Sequence, residues 1–169
     1  MEMLDIYDSN GETTGRVVER SAVKVSTFNS NEHIAVAIIY IENHENEFLI
    51  QKTSKEKGGL YSSTGGHIDH GQTPKEAIIR EVREELGIAV DENEIVDLGF
   101  MVVDFPIRFV FYLKKDIDLK DVVLQKEEVD SVSYMSVNKI KSIIEKGLMI
   151  KGHAKVFEKI LEYKTQNKA

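Results

Sequence analysis

"GGHIDHGQTPKEAIIREVREELGI", residues 65–88, sets a glycine-rich turn directly against a helix crowded with glutamates. Thr73 suits the N-cap, Pro74 the first helical position and Glu76 the third, which is a Thr-x-x-Glu capping box, and Gly87 suits the left-handed residue that ends a helix. The spacing predicts a helix over 74–86, with Ile78, Ile79, Val82 and Leu86 recurring every three or four residues to form one buried stripe. At 100° per residue Glu81, Glu84 and Glu85 stand at i, i+3 and i+4, so their carboxylates crowd one face. Like charges at that spacing destabilise a helix. A bare E-x-x-E-E is also the ordinary pattern of a solvated face neutralised by Arg80 and Arg83, and taken alone it favours that plainer reading. The glycine-rich loop that feeds the helix favours the other reading. Rigid, hard oxygen ligands of this kind suit Mg²⁺ or Mn²⁺, and a divalent cation would relieve the repulsion.

Working outward, "HIAVAIIYI" (33–41) is apolar on both faces, as a central strand would be, and "EFLIQKT" (47–53) follows after the polar turn "ENHEN". These two strands are expected to pair. The intervening "KEKGGLYSSTGGHIDHG" has no helical period and reads as a loop with one short strand at 60–64. After the helix, "EIVDLGFMVVDF" and "IRFVFYLKK" read as a meander broken at Pro106, and "SVSYMS" (131–136) as a short strand. "VNKIKSIIEKG", capped by Ser136, and "AKVFEKILEYK" carry helical periods. "LDIYDSNGETTGRVVER", with turn chemistry at Ser9-Asn10-Gly11, reads as an N-terminal hairpin. The order of elements implies an α/β fold, a mixed sheet with helices on its faces.

The chain has 169 residues, 41% of them hydrophobic, which suits one domain spanning 1–169, with 1–30 as an N-terminal extension. A net charge of −7 sets the overall field against nucleic acid and anionic membranes, so a small ligand is expected. A phosphate-bearing one would need local cations or a metal. The absence of cysteine removes disulfides, thiolate metal sites and cysteine nucleophiles together. No stretch reaches the roughly 18 to 20 apolar residues of a membrane helix and the acidic N-terminus is no signal peptide, so a cytoplasmic protein is expected. Oligomeric state is not written in the sequence, and a homodimer stays among the options.

Residues 66–88 resemble the Nudix box, G-x5-E-x7-R-E-U-x-E-E-x-G-U with U bulky and aliphatic: Gly66, Arg80, Glu81, Val82, Glu84, Glu85, Gly87 and Ile88 fall in register. One fixed position departs from it, because Gln72 stands where the family has its first glutamate, and Glu76 is a helical turn out of register. The resemblance implies an α/β/α sandwich that cleaves a nucleoside diphosphate linked to another moiety with the help of Mg²⁺ or Mn²⁺. It implies Glu81, Glu84 and Glu85 as metal ligands, with Glu84 and Glu85 at the catalytic centre and Arg80 orienting the glutamates by charge-assisted hydrogen bonds. Gln72 can keep the loop's shape but removes one anion. The segment 124–137 resembles the family region where an acidic residue approaches the metal, which makes Glu128 the first candidate for the base and Glu127 the second. Gly65, Gly66 and His67 in the loop, with Lys52 and Lys57 from "QKTSKEK", are the candidate contacts to a small-molecule diphosphate substrate.

"LDIYDSNGETTGR", "HIAV" and "STGGH" also resemble type I isopentenyl-diphosphate isomerases and the hydrolases closest to them. In those isomerases, histidines matching His33 and His67 help bind a metal, and a cysteine precedes the Gly-His pair; here that position is Gly65. With the cysteine missing and the glutamate box nearly complete, hydrolysis is the expected chemistry. An isomerase-like enzyme and a non-catalytic nucleotide-binding domain are the alternatives. His44, His70 and His153 read as solvent-facing, and Phe100, Phe105, Phe109, Phe111 and Tyr112 as sheet core rather than a base-stacking platform.

Overall fold

The computed structural model describes residues 2–167. Its N-terminal hairpin pairs β1 (Met3–Asp8) with β2 (Thr13–Glu19), and β1 also pairs with the short β3 (Glu32–His33). The main sheet contains β4 (Ala35–Glu42), β5 (Glu47–Thr53), β6 (Tyr61–Ser62), β7 (Thr64–His67), β8 (Val96–Val102), β9 (Ile107–Lys114) and β10 (Val129–Ser136). Its strand order is β10-β5-β4-β9-β8, with β6 on β5 and β7 on β4. Three helices complete the fold: α1 (Pro74–Leu86), α2 (Val137–Glu145) and α3 (Lys151–Gln166).

β4 is apolar on both faces because both are covered. Ala37, Ile39 and Ile41 pack with Ala77, Ile78, Val82 and Leu86 of α1, while Ile38 and Tyr40 pack with Ile140 and Ile143 of α2 and Val156, Phe157 and Ile160 of α3. That alternation makes the α/β/α layering, and each large apolar side chain so buried contributes roughly 1.5–3 kcal/mol. The sheet is mixed: β4 runs parallel to β9 from Ala35↔Ile107 to Glu42↔Lys114, and β8 pairs antiparallel with β9 as a meander.

The expected pairing of 33–41 with 47–53 is largely replaced. β4 and β5 meet only at Glu42↔Phe48 and then diverge. The glycine-rich segment fills the opening: β7 pairs with β4 from Val36↔His67 to Ile39↔Thr64, and β6 pairs with β5. Glycine is what lets it in, since a Cβ on Gly65 would strike the carbonyl oxygen of Ala37. The segment expected to be mostly loop is thus two strands, and it carries its residues to the start of α1.

α1 ends where its caps dictate. Thr73 Oγ1 accepts from the Glu76 amide at 3.1 Å, Glu76 Oε1 accepts from the Thr73 amide at 3.2 Å, and Gly87 closes the helix at φ +68°. No helix among the described residues is long and apolar enough to cross a membrane.

Candidate active site

β7 lies over α1, and the residue between them decides how closely. A Cβ on Gly66 would fall on the carboxylate of Glu81, so only glycine leaves that carboxylate its place. Glu81 is 12% exposed in its side chain, and burial pushes its pKa up to about 7, with the nearby Glu84 adding to the rise and Arg80 opposing it. Glu85 goes further, to about 8, through burial first and Glu81 second. Gln51 Nε2 donates to Glu85 Oε2 at 3.0 Å and to Thr64 Oγ1 at 2.7 Å, which fixes both partners. Glu84 stays half exposed, its Oε2 accepting from Arg80 at 3.1 Å.

Arg80 is the hub. Its NH1 also reaches Glu81 Oε1 at 3.0 Å, and its NH2 donates to the His67 carbonyl at 3.1 Å and to Gln72 Oε1 at 3.3 Å, with Asp69 Oδ2 at 3.5 Å. Gln72 therefore keeps a hydrogen-bond connection to the arginine while contributing no charge.

A cavity of about 200 Å³ opens over this patch, lined among others by Gly65, Gly66, His67, Glu81, Glu84, Glu85 and Glu128. Burial holds the imidazole of His67 below its ordinary pKa. Glu128 arrives from the segment before β10, which is tied to the end of α1 by the Val123 amide donating to the Leu86 carbonyl at 2.8 Å. Lys57 Nζ sits 3.4 Å from Glu128 Oε1. Glu127 is exposed and does not line the cavity.

Two sequence expectations change. Lys52 is not brought to the patch: side chains alternate along β5, so Gln51 shares the α1 side with Leu49, while Lys52 shares the opposite side with Phe48 and Ile50 and lies over the ring of Tyr61. His153 is not solvent-facing. It is partly buried with Nδ1 2.8 Å from Ser63 Oγ, and burial, followed by repulsion from Arg108, lowers its pKa to about 4. His33 contacts Ser9 Oγ at 2.9 Å and the Phe105 carbonyl at 2.8 Å through its two ring nitrogens, which occupies both away from the glutamates. His44 and His70 pair with Asp116 and Asp5, each at 2.7 Å.

Sequence reasoning missed Gln51 and Arg20. Gln51 had a local signal, a polar residue at an inward position of an apolar strand. Arg20 had none, because only the folding of the hairpin brings it to the cavity wall.

Among the described residues no three carboxylate or imidazole groups stand together as a preassembled cation cage, since Glu84 is turned toward Arg80. The donor set nonetheless fits a hard divalent cation: all oxygen ligands on one rigid helix, with two buried carboxylates pushed toward their neutral forms, Glu81 against Arg80 and Glu85 against the uncharged Gln51 side chain.

The profile of the NUDIX domain matches residues 31–160. The chain belongs to the Nudix family. It is 29% identical over 160 residues to an uncharacterised Nudix hydrolase of Listeria monocytogenes, covering 89% of each chain. It is 35% identical over 79 residues to the 8-oxo-dGTP diphosphatase of Proteus vulgaris, covering 46% of this chain and 68% of that one. A crystal structure from Deinococcus radiodurans superposes with a TM-score of 0.74 at 19% identity over 92% of this chain and 96% of that one, a likeness of fold. The Nudix relatives make the chain an enzyme, a pyrophosphohydrolase. The matched region leaves the N-terminal hairpin outside it.

Proposed function

We propose that this Nudix enzyme cleaves the diphosphate linkage of a nucleoside diphosphate joined to another moiety, using Mg²⁺ or Mn²⁺ held by Glu81, Glu84 and Glu85. The observation that carries the reading is the pair of buried carboxylates, Glu81 and Glu85, under the Gly65–His67 strand at the floor of an open cavity. Burying two like charges side by side is costly without a compensating cation, and Arg80 reaches only Glu81 and Glu84. When bound, a divalent cation would offset the charge of the diphosphate and acidify a coordinated water.

The chain's own residues do the rest. Arg80 orients Glu81 and Glu84 and fixes the His67 carbonyl; Gln51 orients Glu85. Glu128, once released from Lys57, would accept the proton of the attacking water, and Lys57 would meet phosphate oxygen. Gly65 and Gly66 let the substrate approach the backbone, beside His67.

A panel of nucleoside diphosphate derivatives, assayed for phosphorylated product with and without Mg²⁺, tests this. Cleavage that needs the metal and vanishes in Glu85→Gln is expected; metal-independent cleavage, or full activity in that variant, would refute the assignment.

A further inference from the structure

The cations around the cavity are not equivalent. Arg80 is spent on Glu81, Glu84, Gln72 and the His67 carbonyl. Arg20, at the end of the N-terminal hairpin, is held by one exposed carboxylate, with NH1 2.7 Å from Glu2 Oε2 and both side chains about half exposed. It lines the glutamate cavity, the adjoining cavity of about 270 Å³ that holds Gln51, Ser63 and His153, and the outer one of about 590 Å³ beside Lys57 and Glu128. Arg20 thus borders all three spaces, and so does Glu128.

The hairpin that supplies it is fixed to the box loop. The His70 amide donates to the Met3 carbonyl at 2.8 Å, and Asp5 accepts from the Gly71 amide at 3.0 Å while pairing with His70. Leu4 and Asp69 form a bridge between the two segments. The strand that pairs with β2, at whose end Arg20 stands, is therefore hydrogen-bonded to the loop that leads into the glutamate helix.

We propose that Arg20 binds the substrate's diphosphate and that Glu2 is its exchangeable partner, released when phosphate oxygens take the guanidinium. The inference rests on the pyrophosphohydrolase reading above and adds a residue from outside the box. An exposed Arg–carboxylate pair is worth little and is cheaply given up. A phosphate offers the same planar fork two oxygens and more charge. Glu2 is held below the ordinary carboxylate range by its hydrogen bond from Arg20 and the attraction of its charge, so it is ionised and competes throughout the neutral range.

Methylenediphosphonate, a non-hydrolysable diphosphate, is titrated calorimetrically at saturating Mg²⁺ into the wild type, Arg20→Ala, Arg20→Lys, Glu2→Gln and the double variant. Mn²⁺ uptake is followed separately by electron paramagnetic resonance. Expected are about tenfold weaker binding in Arg20→Ala and a partial loss in Arg20→Lys. Binding about two- to threefold tighter is expected in Glu2→Gln. No gain from Glu2→Gln should remain once Arg20 is gone, and Mn²⁺ uptake should be the same in all. Equal diphosphonate binding by the wild type and Arg20→Ala, absence of binding by either, or a Glu2→Gln gain that persists without Arg20 would overturn the proposal while leaving the metal reading standing. Failure of the wild type to take up Mn²⁺ would remove that reading, and this inference with it.

Discussion

Gly66 and Glu81 compete for the same space: the position a side chain at residue 66 would need is filled by the Glu81 carboxylate. The glycine opens the box because the helix behind it must bring a carboxylate up against the strand's backbone. Gly66→Ala should push that carboxylate out of place and weaken Mn²⁺ binding by about tenfold or more, a cost typical of disturbing how a metal ligand is oriented. The melting temperature measured alongside should fall by only a few degrees. Unchanged Mn²⁺ affinity would show that the position of Glu81 does not matter to metal binding.

Glu85 should trade stability for function. Its folded-state pKa is raised to about 8, so the stability associated with its neutral form is present below the ordinary carboxylate range and is lost as pH rises through about 8 in the metal-free protein. Glu85→Gln removes that loss, and at about pH 9 the metal-free variant should be more stable than the wild type by on the order of 2 kcal/mol in urea denaturation. It should also lose the stabilisation that added Mg²⁺ gives the wild type. A variant less stable than the wild type at that pH would contradict the account of burial.

Gln72 accepts from Arg80 where the family pattern has a carboxylate. Gln72→Glu should draw the guanidinium toward residue 72 by a charge-assisted bond, loosen its hold on Glu84 and free that carboxylate. The expected result is stronger Mn²⁺ binding, by about two- to fivefold, read from a titration of the two proteins side by side. Weaker binding would mean that Arg80 and Glu84 do not compete with the metal in this way.

His153 gives stability a pH dependence of its own. Its imidazole is held neutral down to about pH 4, so between the ordinary histidine pKa of about 6.5 and that value the unfolded chain binds a proton that the folded one refuses. Stability therefore falls as pH drops through that window. Urea denaturation at about pH 7 and about pH 5 should differ by about 1–2 kcal/mol more in the wild type than in His153→Gln. Equal differences would place His153 in a more solvated setting than its contact with Ser63 implies.

The helix and its cargo were legible because both are local. Thr73, Pro74, Glu76 and Gly87 mark the ends of α1 by chemistry confined to a few residues, and the register of Glu81, Glu84 and Glu85 follows from helical geometry. Pairing was less so. Residues 33–41 and 47–53 look like partners because they are neighbours in the chain, yet Gly65 admits β7 beside β4, a non-local outcome decided by a missing side chain. Lys52 was misplaced because both faces of β5 are covered, so the strand's own sequence does not say which face meets the glutamates; the hydrogen bond from Gln51 to Glu85 does. Arg20 and His153 reach the cavities only through the packing of the hairpin and of α3, and nothing in their immediate sequence announces it.

The central claim is that Glu81, Glu84 and Glu85 share a divalent cation. Its most direct test is an Mn²⁺ titration of the wild type and of Glu84→Gln and Glu85→Gln by electron paramagnetic resonance. The account predicts saturable uptake by the wild type, weakened at least tenfold in each variant. Uptake that is absent in the wild type, or equal in all three, would contradict it.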